Sequence, residues 1–333
     1  MRRKLLVLIL VPVFLLSFLL VGCNEKEKVH VIFLGDSIGE GIAGMRPVSE
    51  RERDAYYGVL GIRNGYDFKN RAISGSKSGD LLAYIQREDE GIRMTQSLIR
   101  TADIIHVSIL GNDLLLSDIG RLITSVANND YKHINSIVSN AESNIAQIVE
   151  ILKGYNSDAL LIIQTVYNPI YEGNTLISEQ SRAALAELGI YEDQYRELAG
   201  NIVEMVNAVV HDYLEAHPGA FYIADGYKAF DDIYNEDPVR GKKLIFVDDA
   251  HPSAEGHGIM ADINQTILEE TGYANARTAL KNYKEMRIAQ LERLYSDTVD
   301  VKAVSKTIKK AKSCAEITEI YFSAIYEKLP DYY

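Results

Sequence analysis

Ser37, Asp248 and His251, together with Gly75 and Asn112, are the residues whose types could jointly perform nucleophilic acyl transfer. That chemistry needs a hydroxyl to attack, a base to take its proton, a group to orient the base, and donors for the developing oxyanion. Ser37 follows the apolar run Val29–Leu34 through Gly35-Asp36. Gly75 follows a second such run and Asn112 a third, while Asp248 and His251 follow the short run Lys243–Val247. The spacing of Asp248 and His251 lets a carboxylate on a tight turn reach the imidazole from behind. That fixes which ring nitrogen carries the proton and leaves the other for Ser37.

The elements that must position these groups read as alternating strands and helices. Val29–Leu34, V-H-V-I-F-L, is too short and too β-branched for a helix and predicts a strand buried on both faces. Gly35 ends it, and Gly39, Gly41 and Gly44 keep the following residues close to backbone. Tyr66–Ile73 predicts a second strand, running into S-G-S-K-S-G-D, and Leu81–Arg100 a helix. Ala102–Leu110 predicts a third strand, ending in Gly111-Asn112-Asp113. Ile134, Ile137, Val138, Ala141, Ile145, Ile148, Val149 and Leu152 form a helical stripe. Ala159–Val166 is a fourth strand, ending at Tyr167-Asn168-Pro169. A further helical stripe, Leu198–Tyr213, precedes a fifth strand, Ala220–Ala224. Ser253 is placed to cap a helix running through Leu268. The alternation predicts a three-layer α/β/α sandwich around five parallel strands, with ligands at the carboxyl ends of the strands. From residue 271 no strand follows, and three helical stripes predict an extension over 271–333, packed on the main domain or on a protein partner.

Taken together these stretches resemble the SGNH (or GDSL) hydrolase family, over roughly Val29 to Leu268. Gly35-Asp36-Ser37 matches its first block, Ser74-Gly75 the second, Gly111-Asn112-Asp113 the third, and Asp248-Asp249-Ala250-His251-Pro252 the last. The resemblance implies a flavodoxin-like sheet ordered 2-1-3-4-5. It implies Ser37 as nucleophile, His251 as general base and then acid, and Asp248 as its orienting carboxylate. The backbone N–H groups of Ser37 and Gly75 and the Asn112 amide would form the oxyanion hole. No cofactor or metal is implied. The expected activity is hydrolysis of an acyl ester of the lipase, esterase or lysophospholipase kind. The alternatives are removal of acetyl groups from cell-wall or extracellular glycans, and a non-enzymatic binding lipoprotein. Gly35-Asp36-Ser37-Ile38-Gly39 also fits the nucleophile elbow of α/β-hydrolases, but there several strands and an oxyanion loop precede the serine.

Other residues carry weaker readings. Tyr167, Asn168 and Tyr171 fall after the fourth strand, where they either form an ordinary Asn-Pro turn or contact substrate. His106, inside the third strand, is expected to be buried and hydrogen-bonded, with support near Asn112 as its functional reading. Asp248, Asp249, His251 and His257 offer no clear further ligand for a metal. Cys314 has no activating neighbour in sequence and is expected to pack within a helix.

The chain's 333 residues, 47% of them hydrophobic, suffice for a full core, and its net charge of −12 argues against nucleic acid. Arg2, Arg3 and Lys4, then the apolar run Leu5–Val21, then Leu20-Val21-Gly22-Cys23, read as an export signal over residues 1–22. Its end resembles the lipobox of bacterial lipoproteins, in which the cysteine is diacylated; an uncleaved transmembrane anchor is the alternative. Cleavage would take the net charge to −15. The expected organisation is therefore a lipid-bearing Cys23, a charged tether over 23–28, a hydrolase domain over 29–270 and the helical extension, held outside the cytoplasm at the cell membrane.

Overall fold

The computed structural model describes residues 28–42, 48–87, 94–246 and 250–330. Cys23, Asp248 and Asp249 lie outside the described residues. Five strands form one wholly parallel sheet: β1 (His30–Gly35), β2 (Asp67–Asn70), β3 (Ile104–Ser108), β4 (Leu160–Gln164) and β5 (Tyr222–Ala224), in the order β2-β1-β3-β4-β5. The order matches the expected one. The strands' carboxyl ends therefore share one edge, with Gly35 of β1 in register with Ser108 of β3.

Alternation along the buried strands separates two cores. Ile32, Leu34, Ile105, Val107, Leu161 and Ile163 face one layer. That layer is built mainly from α6 (Lys132–Tyr155) and α7 (Glu192–Ala216). The stripe read on α6 is buried except for half-buried Val138; on α7 Leu198, Met205 and Tyr213 are only half-buried, while Tyr195, Ala199 and Val203 are buried as well. Val31, Phe33, Ile104 and Ile162 face the other layer, which includes α2 (Tyr56–Asn64) and α9 (Ala254–Glu270). Short helices sit at this carboxyl edge: α1 (Ser37–Glu40) after β1, α3 (Ser78–Gln86) after β2, and α4 (Gly111–Leu115) and α5 (Ile119–Ala127) after β3. After β5 comes α8 (Gly226–Glu236).

The structure departs from the sequence reading in two places. The helix expected over Leu81–Arg100 is two, α3 and Thr95–Thr101. The strand expected over Tyr66–Ile73 is assigned as β2 only to Asn70, although Arg71 N–H and Ile73 N–H still donate to the Phe33 and Gly35 carbonyls of β1 at 2.7 and 2.9 Å. There the Asn70 side chain turns inward, donating to the Gly39 carbonyl at 2.8 Å and accepting from Ala72 N–H at 3.0 Å. In the short apolar run before His251, Ile245 makes a single antiparallel bridge with Pro252.

The C-terminal helices α10 (Ala276–Leu294), α11 (Val301–Lys310) and α12 (Cys314–Lys328) pack on the main domain. Tyr283, Tyr321 and Phe322 are buried in the same core as Val31 and Phe33. Ion pairs tie the extension down. Arg287 Nη1 lies 3.2 Å from Asp54 Oδ1, both buried, and both Arg293 Nη atoms donate to Glu50. Cys314 packs inside this core as expected, and burial pushes its thiol up to about 11. Among the described residues, no helix is long and apolar enough to cross a membrane.

Candidate active site

The first turn after β1 is built to present a hydroxyl. Gly35 has φ +141°, and a Cβ there would sit 1.9 Å from the Ser108 carbonyl oxygen, so only glycine lets the chain turn this close to β3. Asp36 N–H donates to that same carbonyl at 3.0 Å. The Asp36 carboxylate then caps α1, accepting from Ile38 N–H at 2.9 Å. Burial pushes this carboxyl up to about 7, against the pull of the Ile38 and Gly39 amides and of His251. Ser37 follows at the start of α1 with its side chain nearly buried.

His251 approaches from the far end of the chain. Its Nε2 lies 2.9 Å from Ser37 Oγ, although 214 positions separate them. The turn carrying His251 is clamped at its base. The Ile245–Pro252 bridge, Phe246 N–H to the His251 carbonyl at 2.8 Å, and Ser253 N–H to the Leu244 carbonyl at 2.8 Å hold it above α9. Ser253 caps α9 by accepting from Gly256 N–H, as its position in the sequence suggested. A second histidine, His257 in the first turns of α9, is buried and sits 3.0 Å from the Ile42 carbonyl through Nε2.

The other two predicted blocks meet at the same edge. A Cβ on Gly111 would lie 3.4 Å from Asp36 Oδ2, which puts the start of α4 against the serine turn. Asn112 Nδ2 donates to the Ser76 carbonyl at 3.1 Å, joining α4 to the turn that holds Gly75. One of the two amide N–H groups suffices for that bond. Gly75 has φ +82°, a left-handed turn with open space where a side chain would be. Asp113 locks the turn from below, accepting from Ser78 N–H at 2.9 Å and from Ser78 Oγ at 2.7 Å. Asn144 of α6 completes this cluster through Ser78 Oγ at 2.9 Å.

Beside Ser37 opens a small apolar pocket. Ile38, Leu114, Leu115, Tyr167, Val203 and Ala250 are among its lining residues. Five separate segments supply these walls, so no single stretch of sequence announces the pocket. Val203 and Leu115 were missed by sequence reasoning for that reason: each reads as an ordinary apolar residue on a helix.

The three residues named after β4 are all buried. Tyr167 is buried; its ring stacks on Phe230 with centroids 4.7 Å apart, and it forms part of the pocket wall. The Asn168 amide is spent on the fold, donating to the Arg196 carbonyl at 2.9 Å and accepting from Ile170 N–H at 3.0 Å. Tyr171 is buried, with the Lys242 ammonium 5.0 Å from its ring centre. His106 is buried as expected, on the face of β3 towards α2, with Nδ1 3.2 Å from Tyr56 OH. Burial lowers its pKa to about 3, so the ring is neutral.

The model of GDSL-like lipase/acylhydrolase proteins matches residues 31–263. The chain belongs to that family. It is therefore a hydrolase acting on ester bonds. Among solved structures, it resembles phospholipase A1 from Streptomyces albidoflavus NA297, at 16% identity and a TM-score of 0.52, over 72% of this chain and 99% of that one. It also resembles the lipase Lip_vut3 from a goat rumen metagenome, at 20% identity and a TM-score of 0.50, over 74% of this chain and 99% of that one. At such identities the likeness concerns the fold. No curated protein matches the sequence. The family match stops short of the C-terminal helices.

Proposed function

We propose that the hydrolase acts through an acyl-enzyme on Ser37, taking a carboxylic ester whose acyl chain enters the apolar pocket. His251 removes the Ser37 proton as Oγ attacks the ester carbonyl, and Asp248, three positions earlier, orients the imidazole. The backbone N–H groups of Ser37 and Gly75 and the Asn112 amide receive the oxyanion. His251 then protonates the departing alcohol. Water, activated by the same imidazole, attacks the acyl-serine and releases the acid. The observation that carries this reading is the 2.9 Å contact between Ser37 Oγ and His251 Nε2.

The pocket favours a chain of several carbons over a bare acetyl group. Its lining is almost wholly apolar, and burying each methylene contributes about 0.8 kcal/mol. Cys23 is the proposed site of lipid attachment, outside the cytoplasm. The described chain enters the fold at the amino end of β1, whereas Ser37 follows its carboxyl end. An anchor at Cys23 would thus hold the domain by the end away from its site, which suits esters offered from the aqueous side.

Ser37→Ala is the test. It should reduce hydrolysis of p-nitrophenyl butyrate at least a thousandfold with an unchanged melting temperature, and abolish labelling by a fluorophosphonate. Turnover that survives the substitution removes Ser37 from the mechanism. A series of p-nitrophenyl esters from acetate to octanoate should peak above acetate; a maximum at acetate would favour the glycan deacetylase reading.

A further inference from the structure

Tyr167 joins two parts of the site that the proposed mechanism treats separately. Its phenol donates to the Ala250 carbonyl at 2.5 Å, and Ala250 immediately precedes His251. Its ring is held flat against Phe230, with 20° between the planes, and Phe230 is itself buried in α8. The same ring and Ala250 both line the apolar pocket. The two ends of the His251 turn are fixed by backbone bonds at Ile245–Pro252 and Phe246–His251. The bond from Tyr167 comes instead from the side, out of the segment after β4, and fixes the residue next to the base.

We propose that Tyr167 is a positioning residue for His251. Its hydroxyl sets the direction in which the imidazole faces Ser37, and its ring makes the acyl pocket and the base's support one packed unit. The inference rests on the catalytic reading above. Without the hydroxyl, the turn samples orientations in which Nε2 no longer meets Oγ, and the rate falls with the fraction of aligned molecules. His251 serves both acylation and deacylation, so both steps slow together. The loss then falls on kcat rather than on KM. The ring, in contrast, governs which acyl chains fit.

The experiment uses the full chain with p-nitrophenyl butyrate and octanoate. Tyr167→Phe keeps the ring and removes the hydroxyl. Its kcat should fall about tenfold for both esters, KM should stay within twofold, and the preference between the esters should be unchanged. Tyr167→Leu should lose kcat and also alter that preference. A kcat within twofold of the parent for Tyr167→Phe, or a loss confined to KM, overturns the proposal. Should Tyr167→Phe fail to fold, Phe230→Leu loosens the same ring and carries the same expectation of a kcat-selective loss and the same refutation. Ser37→Ala, run in parallel, separates the two readings. If it is inactive while Tyr167→Phe runs at the parental rate, only the role of Tyr167 is lost; if it is active, the catalytic reading fails first.

Discussion

Replacing Gly35 by alanine tests whether the close approach of β1 and β3 is what aims the nucleophile. The added Cβ would stand 1.9 Å from the Ser108 carbonyl oxygen and 2.8 Å from its carbon, while real Cβ atoms essentially never come within 3.0 Å. The two strand ends must therefore separate by more than 1 Å. Neither contact is the end of a flexible side chain that could swing aside. The same displacement stretches the 3.0 Å bond from Asp36 N–H to the Ser108 carbonyl, the bond that fixes the residue before Ser37. Alanine also resists φ near +141°, a region that costs a non-glycine residue on the order of 1–3 kcal/mol. Overpacking adds about 1–3 kcal/mol more. A reactive group displaced by about 1 Å loses on the order of a hundredfold in rate. Gly35→Ala should thus fold with a melting temperature several degrees lower, and its kcat/KM on p-nitrophenyl butyrate should drop about a hundredfold. The rate constant of fluorophosphonate labelling should fall in parallel, since it reads the Ser37–His251 geometry without the later deacylation step. A variant that folds and labels at the parental rate would refute the argument that this glycine sets the position of Ser37.

Two further predictions concern stability. His106 is neutral and buried, with its pKa lowered from 6.5 to about 3. Its folded value lies below its unfolded one, so its contribution is complete above about pH 6.5 and is lost as pH falls towards 3. Across the whole window the loss approaches roughly 4–5 kcal/mol; His106→Gln should flatten the fall in melting temperature between pH 6.5 and 4, and an unchanged slope would contradict this. Arg287→Ala removes the buried counter-charge of Asp54 and should destabilise the protein by about 3–5 kcal/mol, whereas the double change Arg287→Met with Asp54→Leu should recover most of it. Urea titration followed by circular dichroism reads both, and equal losses for the single and double variants would count against the pairing.

The sequence by itself determined much of this protein. Short β-branched runs bounded by glycine and alternating with helical stripes specified a parallel sheet, because backbone propensity and burial period act over a few residues. The turns at Gly35-Asp36-Ser37, Ser74-Gly75 and Gly111-Asn112 were legible for the same reason: each is a local arrangement at the end of a strand. Tertiary structure alone decided the rest. It brought Nε2 of His251 to 2.9 Å from Ser37 Oγ, turned the Asn168 amide into the fold, and drew Tyr167 beneath Ala250. It also sank Tyr283, Tyr321 and Phe322 into the core shared with β1, making the C-terminal helices part of the domain's packing. A side chain's chemistry is written at its own position. The direction it faces and what it touches depend on which distant elements pack against it, and that is settled only when the whole chain has buried its apolar surface.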